Sequence, residues 1–208
     1  MKQLQFLIKP AAGFCNMRCH YCFYRDEQQN RSTSEDCMMT LQTAETLIRR
    51  CFAEFDQGGF VSFAFQGGEP TLAGLDFFLF FTQTVRKYNQ KRVTVQYTIQ
   101  TNGLAVTEEW ARFFREENFL VGISLDGTPD VHDALRPDAS GDGTWARVMQ
   151  TIELLHRYGV ECNLLCVVTK QLAKKAERVY KSMKATGVRY LQFIPCLDPL
   201  GMPQGQQN

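Results

Sequence analysis

Three cysteines, Cys15, Cys19 and Cys22, fall within eight residues of the stretch GFCNMRCHYCFY, in the spacing C-x3-C-x2-C. Thiols this close together suit a metal centre or a catalytic role. A structural zinc site wants four protein ligands, and His20 is the nearest candidate for the fourth. His20 directly follows Cys19, however, so the two side chains reach one tetrahedral ion only with difficulty. A four-iron cluster takes one thiolate per iron, so three cysteines leave one iron open. An open iron can accept a chelating ligand, and the amino and carboxylate groups of an amino acid are suited to that.

The elements that must carry this loop alternate along the chain. Strand-like runs occur at 4–8, 60–65, 93–99, 119–124, 161–169 and 190–195. Between them, segments 41–55, 75–89, 107–118, 144–159 and 173–187 repeat apolar residues at three- and four-residue steps, the helical period. Thr40 and Thr107 stand where N-caps are expected, and Gly159 and Gly187 follow the last helical turns. The alternation predicts an α/β chain with a parallel sheet, a partial (βα)6 barrel of TIM-like type with its last helix absent. The cysteine loop then follows the first strand at the C-terminal face, where ligand chemistry collects in such barrels.

Length and composition agree with one buried core: 208 residues, 44% of them apolar. Charge is balanced, with 23 Lys plus Arg against 22 Asp plus Glu and no block of one sign, so nothing calls for a nucleic-acid partner. The apolar run near the N-terminus is too short for a signal-peptide core or a membrane span, which predicts a cytoplasmic chain without a membrane partner. In a reducing cytosol the eight cysteines are not expected to form a disulfide framework. Cys162 and Cys166, four apart on one strand, read as buried apolar residues, and His132 and His156 as structural.

The later strands also end in polar motifs. After the second comes Gln66-Gly67-Gly68-Glu69-Pro70-Thr71, whose glycines allow close backbone approach and whose carboxylate could accept from an ammonium. It also reads as a plain strand-to-helix turn started by Pro70. Gln100-Thr101-Asn102-Gly103 offers groups for a ribose or peptide, or is a simple Asn-Gly turn. The fourth strand ends at Ser124, with His132, Asp133, Arg136 and Arg147 downstream. Ile194 and Leu197 follow from the sixth.

The cysteine spacing, with aromatic Tyr21 before the last thiol, resembles the signature of radical S-adenosylmethionine (SAM) enzymes. Together with FAFQGGEPTLAGLDFF, QTNG, FLVGISLDG, NLLCVVT and LQFIPCLDPL, the whole chain is similar to anaerobic sulfatase-maturating enzymes. The resemblance implies a [4Fe-4S] cluster on Cys15, Cys19 and Cys22, with S-adenosyl-L-methionine on the open iron. An electron entering the sulfonium releases a 5′-deoxyadenosyl radical, which abstracts a hydrogen from the β-carbon of a sulfatase Cys or Ser on the way to Cα-formylglycine. The resemblance places Gly67, Gly68 and Glu69 at the SAM amino group and Ser124 with an arginine at its carboxylate, Arg147 being preferred. It also sets Gln66 and Tyr24 where the cofactor or a peptide is contacted; Tyr21, Thr101, Asn102 and Leu197 are read as cofactor neighbours, Leu197 packing on the adenine or being simply core, and Arg136 as an alternative that faces the substrate. Partners so implied are the sulfatase polypeptide and an electron donor such as flavodoxin or ferredoxin. A maturase of another ribosomal peptide shares most of these motifs.

Members of that family continue into a cysteine-rich SPASM domain with two auxiliary clusters and the carboxylate proposed as base, so the resemblance assigns no catalytic base to this stretch. The expected division is a radical SAM domain over 1–197 and, over 198–208, a linker towards that further domain.

Overall fold

The computed structural model describes residues 1–24 and 38–198. Strands β1 (Gln3–Ile8), β2 (Phe60–Phe65), β3 (Thr94–Thr101), β4 (Phe119–Ser124), β5 (Cys162–Val168) and β6 (Tyr190–Pro195) form one sheet in that order. Every neighbouring pair is parallel, and the sheet curls into a partial barrel. Helices α1 (Leu41–Ala53), α2 (Leu75–Tyr88), α3 (Glu108–Glu116), α4 (Pro129–Leu135), α5 (Trp145–Arg157), α6 (Lys170–Ala173) and α7 (Ala176–Ala185) lie between strands. A 3-10 turn spans Pro70–Ala73.

Register explains where the core sits. Ile8, Phe65, Ile99, Val121 and Cys162 stand abreast on five strands, all buried on one face. Phe65 packs there against Phe78 and Phe81 of α2, and Phe63 against Phe6, Phe81 and Tyr97. Each such ring stabilises the fold by roughly 1.5–3 kcal/mol through burial. Cys162 and Cys166 belong to this apolar face.

Local signals behave as their chemistry requires, with one exception. The Thr40 hydroxyl accepts from the Thr43 amide at 3.1 Å, while Gly159 and Gly187 adopt φ of +64° and +78° just after α5 and α7. Thr107 occupies the N-cap of α3 but donates to the Glu109 carboxylate at 3.1 Å instead of capping a backbone amide.

Two departures from the expected pattern have local causes. Helix α4 was not expected, because seven residues opened by Pro129 are too few to show a helical period. The helix expected over 173–187 is confined to α7, and the short α6 precedes it, sharing only Ala173 with the expected span, with Lys175 at φ −122°, ψ 21° between the two. Along β6, Tyr190 on the inner face is 66% exposed and Phe193 on the opposite face 44%. Cys37 and residues 199–208, the greater part of the expected linker, lie outside the described residues.

Candidate cofactor site

The cysteine loop is clamped between two other loops. On one side, the Gly68 amide donates to Ala12 O at 2.9 Å and the Glu69 amide to Phe14 O at 2.7 Å. A Cβ on Gly68 would lie 2.1 Å from Phe14 O, and one on Gly67 (φ +120°) 2.6 Å from Ala12 O. These glycines therefore admit the cysteine loop's own backbone, a nearer neighbour than the ligand expected from sequence. On the other side, Arg18 N donates to Pro137 O and His20 N to Leu135 O, each at 2.9 Å, and Met17 bridges Asp138. That second clamp, built by the turn after α4, left no signal in the sequence.

The clamped loop and the strand ends enclose a cavity of about 420 Å³. It brings together Cys15, Cys19, Cys22, Tyr21 and Tyr24 with Gln66, Gly67, Gly68 and Glu69. Thr101, Asn102, Ser124, Arg136 and Leu197 line it too. Arg147 does not; it is half exposed and pairs with Asp138 at 3.2 Å. Of the two candidate arginines, the one in the cavity wall is thus Arg136.

Glu69, 1% exposed, organises the wall. Its Oε1 accepts from the Thr71 amide (3.0 Å), the Thr71 hydroxyl (2.6 Å) and the Thr101 hydroxyl (2.7 Å). Among the described residues Oε2 accepts only from the Asn102 amide, at 2.7 Å, which leaves acceptor capacity on that oxygen. Burial pushes the Glu69 carboxyl up while these donors pull it down. A cation at Oε2 would favour the charged form.

Thr101 and Asn102 are already engaged. The Thr101 hydroxyl donates to Glu69 and accepts from the Gly103 amide at 3.0 Å. Asn102 Nδ2 donates to Asn16 Oδ1 at 2.8 Å and approaches Cys15 Sγ at 3.6 Å, while its Oδ1 accepts from Leu104 N at 2.9 Å. The two side chains read from sequence as groups for a ribose or a peptide, or as part of a plain turn, thus hold Glu69 and Cys15 in place.

Cys15 Sγ also accepts from the Met17 amide at 3.4 Å. Burial pushes the Cys15 thiol up to about 12 and raises that of Cys19. These sulfurs become thiolates when a bound cation compensates them. Among the described residues no three His, Cys, Asp or Glu side chains gather as ligands of one metal ion. His20 is exposed. The donor chemistry, three thiols on one loop with N–H groups aimed at a sulfur, fits an iron–sulfur cluster, whose sulfurs are commonly hydrogen-bonded.

Tyr21 anchors the loop from within. Its hydroxyl donates to Asp126 Oδ2 at 2.5 Å and accepts from Arg136 at 2.7 Å, and Asp126 Oδ1 accepts from Val167 N at 3.0 Å. Burial opposes the charge on Arg136, but Asp126 and the hydrogen bond to the Tyr21 hydroxyl outweigh it and keep the guanidinium protonated. Among the described residues its Nε has no hydrogen-bond partner, although the residue is 6% exposed.

His132 supports this arginine from behind. The Asp126 amide donates to its Nδ1 at 3.2 Å, which makes Nε2 the donor to Thr144 Oγ1 at 3.0 Å, and Thr144 donates to Arg136 O at 2.7 Å. Burial holds His132 neutral, its pKa lowered to about 3.

A parallel partial barrel with C-x3-C-x2-C after its first strand defines a class of protein, and comparison agrees. The radical SAM superfamily model matches residues 10–183, and the chain belongs to that superfamily. A cysteine-type anaerobic sulfatase-maturating enzyme of Clostridium novyi (strain NT) is 50% identical over 204 residues, covering 98% of this chain and 54% of that relative. A serine-type enzyme of Klebsiella aerogenes is 37% identical over 192 residues, 92% of this chain and 46% of that relative. The solved structure "Native anSMEcpe with bound AdoMet and Kp18Cys peptide" matches with TM-score 0.92 at 42% identity, covering 100% of this chain and 55% of its own. The chain spans about half the length of the curated relatives it matches. Among the described residues no helix is long and apolar enough to cross a membrane.

Proposed function

We propose that this chain is the radical SAM portion of a cysteine-type anaerobic sulfatase-maturating enzyme, which converts a sulfatase cysteine to Cα-formylglycine. The observation that carries the proposal is the convergence of Cys15, Cys19 and Cys22 with the Gly67-Gly68-Glu69 loop and Ser124 on one cavity. Identity of 50% to a cysteine-type relative against 37% to a serine-type one favours cysteine as the target.

Cys15, Cys19 and Cys22 would hold three irons of a [4Fe-4S] cluster, and the methionine end of S-adenosyl-L-methionine would occupy the fourth. When bound, the pair supplies one-electron cleavage of the cofactor and the radical that removes the target's β-hydrogen. Glu69 Oε2 offers the acceptor for the cofactor's ammonium. Ser124, with Arg136 in place of the Arg147 preferred from sequence, would take its carboxylate. Tyr21, Gln66, Asn102 and Leu197 bound the rest of the cofactor space, while Thr101 acts by holding Glu69. Tyr24 faces the same cavity and is assigned to the peptide.

Residues 1–197 are assigned to the radical SAM domain and 198–208 to the linker beyond it. A sulfatase polypeptide is the proposed substrate, flavodoxin or ferredoxin the class of electron donor, and the cytosol, where thiols stay reduced, the setting.

The test is anaerobic reconstitution with iron and sulfide, reduction with dithionite, and assay for 5′-deoxyadenosine and formylglycine with sulfatase peptides carrying Cys or Ser. Both products with the Cys peptide are expected. Loss of iron binding, or intact cluster without cofactor cleavage, would overturn the assignment.

A further inference from the structure

The inner face of the sheet carries a row of carboxamides deeper than the cysteine loop. Register sets Gln100 opposite Gly122 and Gly122 opposite Asn163. Gln66 follows Phe65, the partner of Ile99, and so stands beside Gln100. Gln192 pairs with Leu165, two residues further along β5 than Asn163. Parallel sheets are usually apolar on both faces, so this run of neutral polar side chains departs from the packing norm.

Gly122 makes the row continuous. A Cβ at that position would lie 2.2 Å from Gln100 Oε1 and 3.4 Å from Asn163 Oδ1, because the Gln100 carboxamide lies across the glycine. Gln100 Nε2 is fixed by Ser124 Oγ at 3.0 Å, which orients the amide from the cofactor side. Glycine within a strand marks such a close approach.

The row lines a cavity of about 490 Å³, within the usual range for ligand pockets. It shares Gln66, Gln100 and Gln192 with the cysteine-lined cavity, and among the described residues no charged side chain lines it. Each carboxamide offers two N–H donors and two acceptor lone pairs. Gln66 and Gln100 stand on neighbouring strands about 4.8 Å apart, and Asn163 stands one strand beyond Gly122, so an extended chain crossing the strands can meet them with its N–H and C=O groups. A charged ligand would find no counter-charge here, and a purely apolar one would strand the amides.

We infer that this row is a binding site for the main chain of an uncharged, extended stretch of peptide adjoining the residue under modification. It rests on the proposal that the substrate is a polypeptide. Asn163 is its principal residue outside the cofactor wall, and the row reads peptide groups, not side chains.

The experiment uses the reconstituted chain with S-adenosyl-L-methionine and a fluorescent Cys-containing sulfatase peptide, with affinity read by anisotropy. Two peptide series are compared: single amide-to-ester replacements, which delete one main-chain N–H each, and single side-chain-to-alanine replacements. Asn163→Asp, isosteric but without the two donors, and Asn163→Leu are the protein variants.

At least one ester is expected to weaken wild-type binding about tenfold, the effect of one lost hydrogen bond. Both variants should bind the parent peptide about tenfold more weakly, and at least one variant should no longer distinguish an ester from its parent. Cofactor cleavage without peptide should be unchanged, which separates this effect from misfolding. Esters binding as well as the parent, variants binding like wild type, or no saturable binding to wild type would each overturn the inference. Normal peptide binding without formylglycine would count against the proposed function and leave the row standing.

Discussion

The Tyr21 hydroxyl sits 2.5 Å from Asp126 Oδ2, joining the cysteine loop to the end of β4 across 105 residues of sequence. Arg136 donates to the Tyr21 hydroxyl oxygen at 2.7 Å, so one phenol links a buried acid and a buried base. Burial raises the Tyr21 pKa well above its ordinary value; Arg136 works against the shift and Asp126 adds to it. The phenol therefore stays neutral and can donate and accept at once.

Tyr21→Phe should cost about 1–3 kcal/mol, because it leaves both Asp126 and Arg136 short of a partner inside the protein. Anaerobic denaturant unfolding of the reconstituted chain measures the cost, and iron retained per chain should fall alongside it. Stability within 0.5 kcal/mol of wild type, as for an ordinary surface substitution, would refute the link.

Glu69→Gln keeps the shape of the side chain but sets an NH2 group against donors from Thr71, Thr101 or Asn102. It also removes the charge proposed for the cofactor's ammonium. Equilibrium binding of S-adenosyl-L-methionine to the reconstituted chain should weaken by at least about tenfold, more than one neutral hydrogen bond supplies.

The two arginines should separate cleanly. Arg136→Lys retains charge but loses the planar fork, and cofactor affinity should drop about tenfold or more. Arg147→Ala removes a half-exposed pair with Asp138, and both affinity and stability should change little, within about 1 kcal/mol. The reverse ranking, read by the same binding assay, would return the carboxylate to Arg147.

Acid should destabilise the fold through His132. Its folded pKa is about 3 against an ordinary 6.5, so below 6.5 the unfolded chain takes a proton that the folded chain refuses. Stability is then lost as pH falls from 6.5 towards 3, by at most about 1.4 kcal/mol per unit for this group. Unfolding between pH 7 and 5 should show a steeper slope in wild type than in His132→Gln, whose amide can still donate to Thr144.

Much of the molecule was legible in short spans of sequence. The alternation of strand and helix, the Thr40 cap, the glycines ending α5 and α7 and the C-x3-C-x2-C spacing each depend on residues only a few positions apart. Local backbone preference and side-chain period decide such features, and they also predicted the parallel sheet and the position of the cysteine loop.

Only the tertiary structure decided what those motifs touch. Glu69 meets Asn102 across 33 residues, and the Gly67-Gly68 pair admits the cysteine loop because β1 and β2 pair in one particular register. Arg136 enters the cavity wall because Pro129 starts a helix too short to announce itself, while Arg147 turns to Asp138. The carboxamide row exists only once β2 to β5 are aligned, since a shift of one residue would turn each amide to the helix-covered face. Register and side-chain direction arise between elements distant in sequence, and no spacing within a single segment encodes them.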